Sequence, residues 1–163
     1  MTLFPIFELD IWNAWIFMLS FILQMLVMTL ADRRIWEKSH VPSQAKRSRY
    51  EKHVGGFANF FWLLALLYSI FLPLKINTIW LYIGIIVFIA GLIILIRATY
   101  DFITTKPNKI IKKGAYNFSR HPMYLATFII ILSVAIASLS WLFLILNIFI
   151  MFFFYQEALI EER

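Results

Sequence analysis

From Pro122 to Tyr155 the chain reads PMYLATFIIILSVAIASLSWLFLILNIFIMFFFY, a run without a single Asp, Glu, Lys or Arg. As one helix rising about 1.5 Å per residue it would reach roughly 50 Å, far more than the roughly 30 Å of a bilayer's hydrocarbon layer. The run therefore reads as two helices folded back on each other. The turn falls at Ser138-Leu139-Ser140, where two hydroxyls can satisfy freed backbone groups, giving spans at 122–138 and 140–156. Each is about 17 residues long, near the lower limit for crossing.

Working outward, three more segments lack all four charged residue types: Ile11 to Ala31, Phe57 to Leu74 and Ile79 to Ile96. A charge at the centre of any of them would cost about 2.5 to 3.5 kcal/mol on insertion. Composition agrees, since 62% of the 163 residues are hydrophobic and mean hydropathy is +0.80, more than one soluble core could hide. The fold class expected is all-α: a polytopic membrane protein of about five transmembrane helices, forming a single domain over residues 1–163. The first apolar stretch is not a cleavable signal peptide, because it lacks a basic leader, follows Glu8 and Asp10, and runs on too long.

Orientation follows from the cations outside the spans. Residues 32–56 hold Arg33, Arg34, Lys38, Lys46, Arg47, Arg49 and Lys52; residues 97–120 hold Arg97, Lys106, Lys109, Lys112, Lys113 and Arg120; the opposite side has Lys75 alone. The positive-inside rule makes both basic loops cytoplasmic, with the N-terminus outside and the tail from Gln156 inside. The net charge of +6 is then a topology signal against anionic headgroups, and no nucleic-acid partner is expected.

With no cysteine and three histidines, none paired at i,i+4 spacing, neither thiol chemistry nor a metal site is expected. Five glycines without a G-x-G-x-x-G arrangement exclude a dinucleotide fingerprint. Gly84 and Gly91 read as points of close helix packing, and Gln24, Asn59 and Asn147 as interhelical hydrogen bonders. Gly55-Gly56, with His53, reads as a break before the second span.

The segment Gly114-Ala115-Tyr116-Asn117-Phe118-Ser119-Arg120-His121-Pro122-Met123-Tyr124 lies where a basic loop enters the fourth span. Pro122 suits a helix's first turn, which puts Arg120 and His121 at a helix N-terminus with free backbone donors. Such a terminus favours a carboxylate or phosphate. Past the fifth span come Glu157, Glu161 and Glu162, and a hairpin would set the latter two beside Arg120 and His121. With Tyr116, Phe118 and Tyr124 between them, the groups would suit a zwitterionic aromatic molecule. Taken alone, the same residues also read as an interfacial cap with a snorkelling Arg and solvated acids.

Gly114-Ala115-Tyr116, then Arg120-His121-Pro122-Met123-Tyr124, then Glu161-Glu162-Arg163 after an apolar hairpin, resembles the G-x-Y…R-H-P-x-Y…E-E pattern of the isoprenylcysteine carboxyl methyltransferase and phospholipid methyltransferase family. The resemblance covers roughly residues 79–163. It implies an S-adenosylmethionine-dependent enzyme that methylates a lipophilic acceptor reached from the bilayer. The cofactor residues it implies are Asn108, Lys109, Ile110, Ile111, Tyr116, Arg120, His121, Pro122, Met123, Tyr124 and Glu161, with Glu162 and Glu157 as candidate catalytic bases. Members generally continue beyond the Glu pair, whereas this sequence ends at Arg163, so either further residues follow or the site is open. Isoprenylcysteine enzymes carry an Arg where Glu157 stands, so a carboxylate acceptor, or activity itself, is disfavoured and an amine headgroup becomes easier to place. Two alternatives stay open: an NADPH-dependent reductase of the sterol reductase type, which shares a His-Pro-x-Tyr element, and a non-catalytic relative.

Overall fold

The computed structural model describes residues 10–31, 48–105, 111 and 113–162. Within them lie five α-helices: α1 (Trp15–Ala31), α2 (Arg49–Ile70), α3 (Ile79–Ile103), α4 (Pro122–Ser138) and α5 (Trp141–Glu161). A 3-10 turn, Gly114–Asn117, precedes α4, and no strand occurs among the described residues beyond an isolated bridge between Asn13 and Pro73. Helices α2, α3 and α5 are long and apolar enough to cross a membrane; α1 and α4 are shorter apolar helices of 17 residues. At about 1.5 Å per residue α4 spans roughly 25 Å, a deficit a bilayer meets by local thinning. The protein is an all-α membrane protein.

The hairpin between α4 and α5 turns on Leu139, which adopts the left-handed conformation at φ 55. The flanking serines stabilise it: Ser138 Oγ donates to the Val134 carbonyl at 2.7 Å, and Ser140 Oγ accepts the Phe143 N–H at 3.2 Å as the N-cap of α5. Nearby, the N–H of Lys75 donates to the Ala137 carbonyl at 3.0 Å, and that of Ala14 to the Leu72 carbonyl at 2.9 Å. Asn13, fully buried, donates through Nδ2 to the Ile70 carbonyl at 2.8 Å. The start of α1, the α2–α3 connection and the α4–α5 turn are thereby tied together at one end of the bundle. The starts of α2 and α4 and the ends of α3 and α5 lie at the other end.

Three helix boundaries of α2 and α3 differ from the expected spans. The glycines do not break α2, which runs from Arg49 straight through Gly55-Gly56. Its start is set earlier by a capping box, in which Ser48 Oγ accepts the Glu51 N–H and the Glu51 carboxylate accepts the Ser48 N–H. A helical glycine costs only about 1 kcal/mol, too little to end a helix held by a cap and by packing. At its far end α2 stops at Ile70 rather than Leu74, while Leu72 and Leu74 are buried in the connection. Likewise α3 continues past Ile96 to Ile103, because Arg97 and Asp101 pair at i,i+4 and Asp101 is held by protein groups.

Packing centres on the seam between α3 and α4. A Cβ on Gly84 would lie 2.7 Å from Ala137 Cβ, and one on Gly91 would lie 2.9 Å from Ile130 Cγ1, so both glycines set the backbone separation. Between α2 and α5, Phe61 stacks on Phe149 and Phe153 at 5.3 and 5.5 Å, and Phe57 stacks on Phe153 at 5.5 Å. Ile130, Ile131, Val134, Phe143 and Ile150 are fully buried among the helices, while Ile86, Ile93 and Ile148 face outward, where lipid is their solvent.

Candidate functional site

The α4–α5 hairpin puts the start of one helix against the end of the other, and there oppositely charged side chains meet. Pro122, buried at the first position of α4, leaves His121 as the N-cap residue, and the Ser119 hydroxyl accepts the His121 N–H at 3.2 Å. His121 Nδ1 lies 3.3 Å from Glu161 Oε2, and its Nε2 lies 3.4 Å from Glu162 Oε1. Arg120 Nη1 reaches Glu162 Oε2 at 3.1 Å. Tyr124 donates its hydroxyl to Glu161 Oε1 at 3.0 Å. The Arg120 side chain is 82% exposed, so its pair contributes under about 1 kcal/mol and exchanges readily for a ligand.

Aromatic rings continue this cluster inward. His121 and Tyr124 stack at 5.5 Å and 8°, and Tyr124 stacks in turn on Phe154 at 4.8 Å and 27°. Met123 is fixed from α1, where Gln24 Nε2 lies 3.8 Å from its sulfur. Tyr116, on the 3-10 turn, has its pKa pushed up to about 12, first by burial and then by the negative charges of Asp101 and Glu161. It remains a neutral phenol able to donate. Ile111 is half-buried, whereas Asn108, Lys109, Ile110 and Arg163 lie outside the described residues. Phe118, expected among the aromatics of the pocket, is instead 93% exposed, because the chain turns outward between the 3-10 turn and Pro122.

Glu157 is separate from the ion-pair cluster. It lies one helical turn before Glu161, is only 6% exposed, and lines a cavity of about 420 Å³ together with Met25, Gly55, Ala58, Asn59, Trp62, Tyr124 and Phe154. A carboxylate buried beside apolar walls is costly and marks a place where a cation or proton is handled. The two candidate bases therefore occupy different surroundings, Glu162 among exposed cations and Glu157 inside the bundle. Residues of α1 and α2 in this cavity were not foreseen as site residues. Asn59 lines the cavity, whereas Asn147 reaches the Phe128 carbonyl at 3.4 Å. The signal was the Gly55, Ala58, Asn59 and Trp62 face of α2, whose i,i+3 and i,i+4 spacing sets small and polar groups on one stripe.

A sequence profile of the phospholipid methyltransferase family matches residues 79–163, from the first turn of α3 to the end of the chain. No curated protein and no solved structure matches. The matched half contains the Gly114–Asn117 turn, both helices of the hairpin and the whole Arg120, His121, Tyr124, Glu161 and Glu162 cluster. Apolar helices of spanning length, a charged cluster at one end of the hairpin and the matched profile together make this chain an integral membrane member of the phospholipid methyltransferase family.

Proposed function

We propose that the protein transfers a methyl group from S-adenosylmethionine to a lipophilic acceptor, with the cofactor at the ion-pair cluster and the acceptor in the Glu157 cavity. The observation that carries this reading is the Tyr124–Phe154 stack, which touches both regions at once. The cluster fits the cofactor: Arg120, His121 and the N-terminus of α4 suit its carboxylate, Glu161 suits its ammonium, and the rings of Tyr116 and Tyr124 suit its adenine. Met123 and Pro122 are assigned to the same site, and the family resemblance adds Asn108, Lys109, Ile110 and Ile111, of which Ile111 alone lies among the described residues. The exposed pair of Arg120 with Glu162 opens on binding at little cost.

S-adenosylmethionine supplies a methyl carbon activated by the positive charge on its sulfur, open to in-line displacement. The chain's own groups then align, desolvate and move a proton. Tyr124 and Phe154 border the place where the acceptor would meet the methyl carbon in line, the carbon–sulfur bond breaking to release the neutral thioether, and the apolar cavity walls exclude water. Glu157 attracts an amine acceptor and takes the proton it sheds on methylation, a role that a buried carboxylate suits and a carboxylate acceptor would not tolerate. Glu162 helps to hold His121 in place. The cytoplasmic placement of the cluster, with the N-terminus outside, rests on the cation-rich connections at that end of the bundle.

Calorimetric titration of detergent-purified protein tests the reading. Saturable S-adenosylmethionine binding, lost in Glu161→Ala and in His121→Ala without loss of helix content, is the expected result. Binding of NADPH in its place would replace methyl transfer with reduction, and unchanged binding in both variants would overturn the site.

A further inference from the structure

Asp101 is 1% exposed although it is a carboxylate on a helix of otherwise apolar character. Its Oδ2 accepts the Ala115 N–H at 3.0 Å and lies 3.4 Å from Arg97 Nε, while its Oδ1 is buried without a hydrogen-bond partner among the described residues. Half-satisfied burial of this kind is unfavourable for stability, so the carboxylate's contribution must lie in what it grips. It grips the Gly114–Asn117 turn. Gly114 has φ +56, and a Cβ there would overlap Asp101 Oδ2 and come within 2.8 Å of Arg97 Nε. Only glycine allows the backbone so close.

That turn carries Tyr116, whose phenol is held neutral by burial and by the negative charges of Asp101 on α3 and Glu161 on α5. Lys113, just before the turn, adds a second tie by donating Nζ to Thr104 Oγ1 at 2.8 Å, but this pair is exposed. Asp101 is the buried tie.

We propose that Asp101 is a positioning residue for methyl transfer, pinning the Gly114–Asn117 turn to the end of α3 so that the turn, with Tyr116 on it, keeps its place just before the His121 N-cap of α4. The inference rests on the cofactor reading above and adds to it a residue that never touches the cofactor. It also explains why the glycine of the G-x-Y element is needed here: its missing Cβ is the space the carboxylate occupies.

The test uses the whole protein in detergent with Asp101→Ala, Asp101→Asn and Gly114→Ala. Without cofactor, trypsin cleavage after Lys113 should accelerate roughly tenfold in Asp101→Ala, because the turn opens locally, while Asp101→Asn, which keeps an acceptor for Ala115, stays near the parent rate. The KM for S-adenosylmethionine should rise roughly tenfold in Asp101→Ala with kcat within about threefold, and Asp101→Asn should restore it. Gly114→Ala, which displaces the same carboxylate, should mimic Asp101→Ala and supplies the result if that variant fails to fold. Unchanged cleavage in both variants overturns the pinning, and faster cleavage with unchanged KM reduces Asp101 to a structural tie and overturns the positioning role. Failure of the unsubstituted protein to bind S-adenosylmethionine instead sinks the proposed function, leaving the pinning to be judged on cleavage rates.

Discussion

The rings of Tyr124 and Phe154 stack with centroids 4.8 Å apart, and the pair forms the wall between the Arg120–Glu162 cluster and the cavity that holds Glu157. One aromatic contact between α4 and α5 thus borders two chemically different compartments. The hydroxyl of Tyr124 serves the charged side alone, whereas its ring stacks on His121 on one side and on Phe154 on the other.

Separating those two services gives the first prediction. Tyr124→Phe keeps the ring and loses the hydrogen bond to Glu161, so cofactor affinity should fall by about fivefold, the equivalent of about 1 kcal/mol. Tyr124→Ala removes the wall and should lower kcat by about 100-fold through loss of alignment. Calorimetry and methyl-transfer rates on both variants check this, and equal effects would show that the ring has no part of its own.

Glu157→Gln leaves the cavity's shape intact but removes its charge and its proton-accepting ability. Cofactor affinity should be unchanged, while turnover with an amine-headgroup lipid should fall by about 100-fold, the low end of a lost general base. Radiolabelled methyl incorporation into vesicle lipids reads the second quantity. Full turnover in the variant would remove Glu157 from the reaction.

The seam between α3 and α4 should be sensitive to one added side chain. Gly84→Val places atoms against the Ser133 carbonyl, 3.0 Å from even a Cβ, and backbone cannot yield as a side chain can. Destabilisation of about 1 to 3 kcal/mol is expected, measurable by graded unfolding in mixed micelles. Gly56→Ala is the matched control, since a Cβ there meets nothing within 4 Å. It should be neutral or slightly stabilising.

Tyr116 predicts a pH dependence. Unfolded, its phenol loses a proton near pH 10; folded, burial followed by the charges of Asp101 and Glu161 holds the pKa at about 12. Between those values the unfolded state binds fewer protons than the folded one, so stability falls as pH rises through the window and is unaffected by this group below it. Tyr116→Phe should remove that part of the slope in unfolding titrations between pH 9 and about 12.5.

The hairpin was legible because a charge-free run too long for one crossing had to turn, and Ser138-Leu139-Ser140 offered the means. Once α4 and α5 are antiparallel neighbours, the approach of Arg120 and His121 to Glu161 and Glu162 follows from chain geometry. The course of α2 through Gly55-Gly56 was not legible from those glycines, since a cap at Ser48 outweighs a penalty that residue type alone suggests would break the helix. Nor was the cavity, whose walls come from helices far apart in the chain and whose existence depends on how Trp62, Phe154 and Met25 happen to pack. Asp101 was hidden for a related reason: its partner Ala115 is a backbone amide, and backbone partners leave no mark on side-chain patterns.

The ties at the far end of the bundle, from Asn13 to Ile70, Ala14 to Leu72 and Lys75 to Ala137, make that end a clamp. Helices fastened at one end can part only at the other, like the legs of tweezers. For a helix of roughly 25 Å, a swing of roughly 5° about the clamp moves the free end by roughly 2 Å without breaking any of the ties. Glu157 and the Arg120–Glu162 cluster lie at the free end, so the groups proposed to do the chemistry sit where the bundle has most freedom to yield to an incoming molecule.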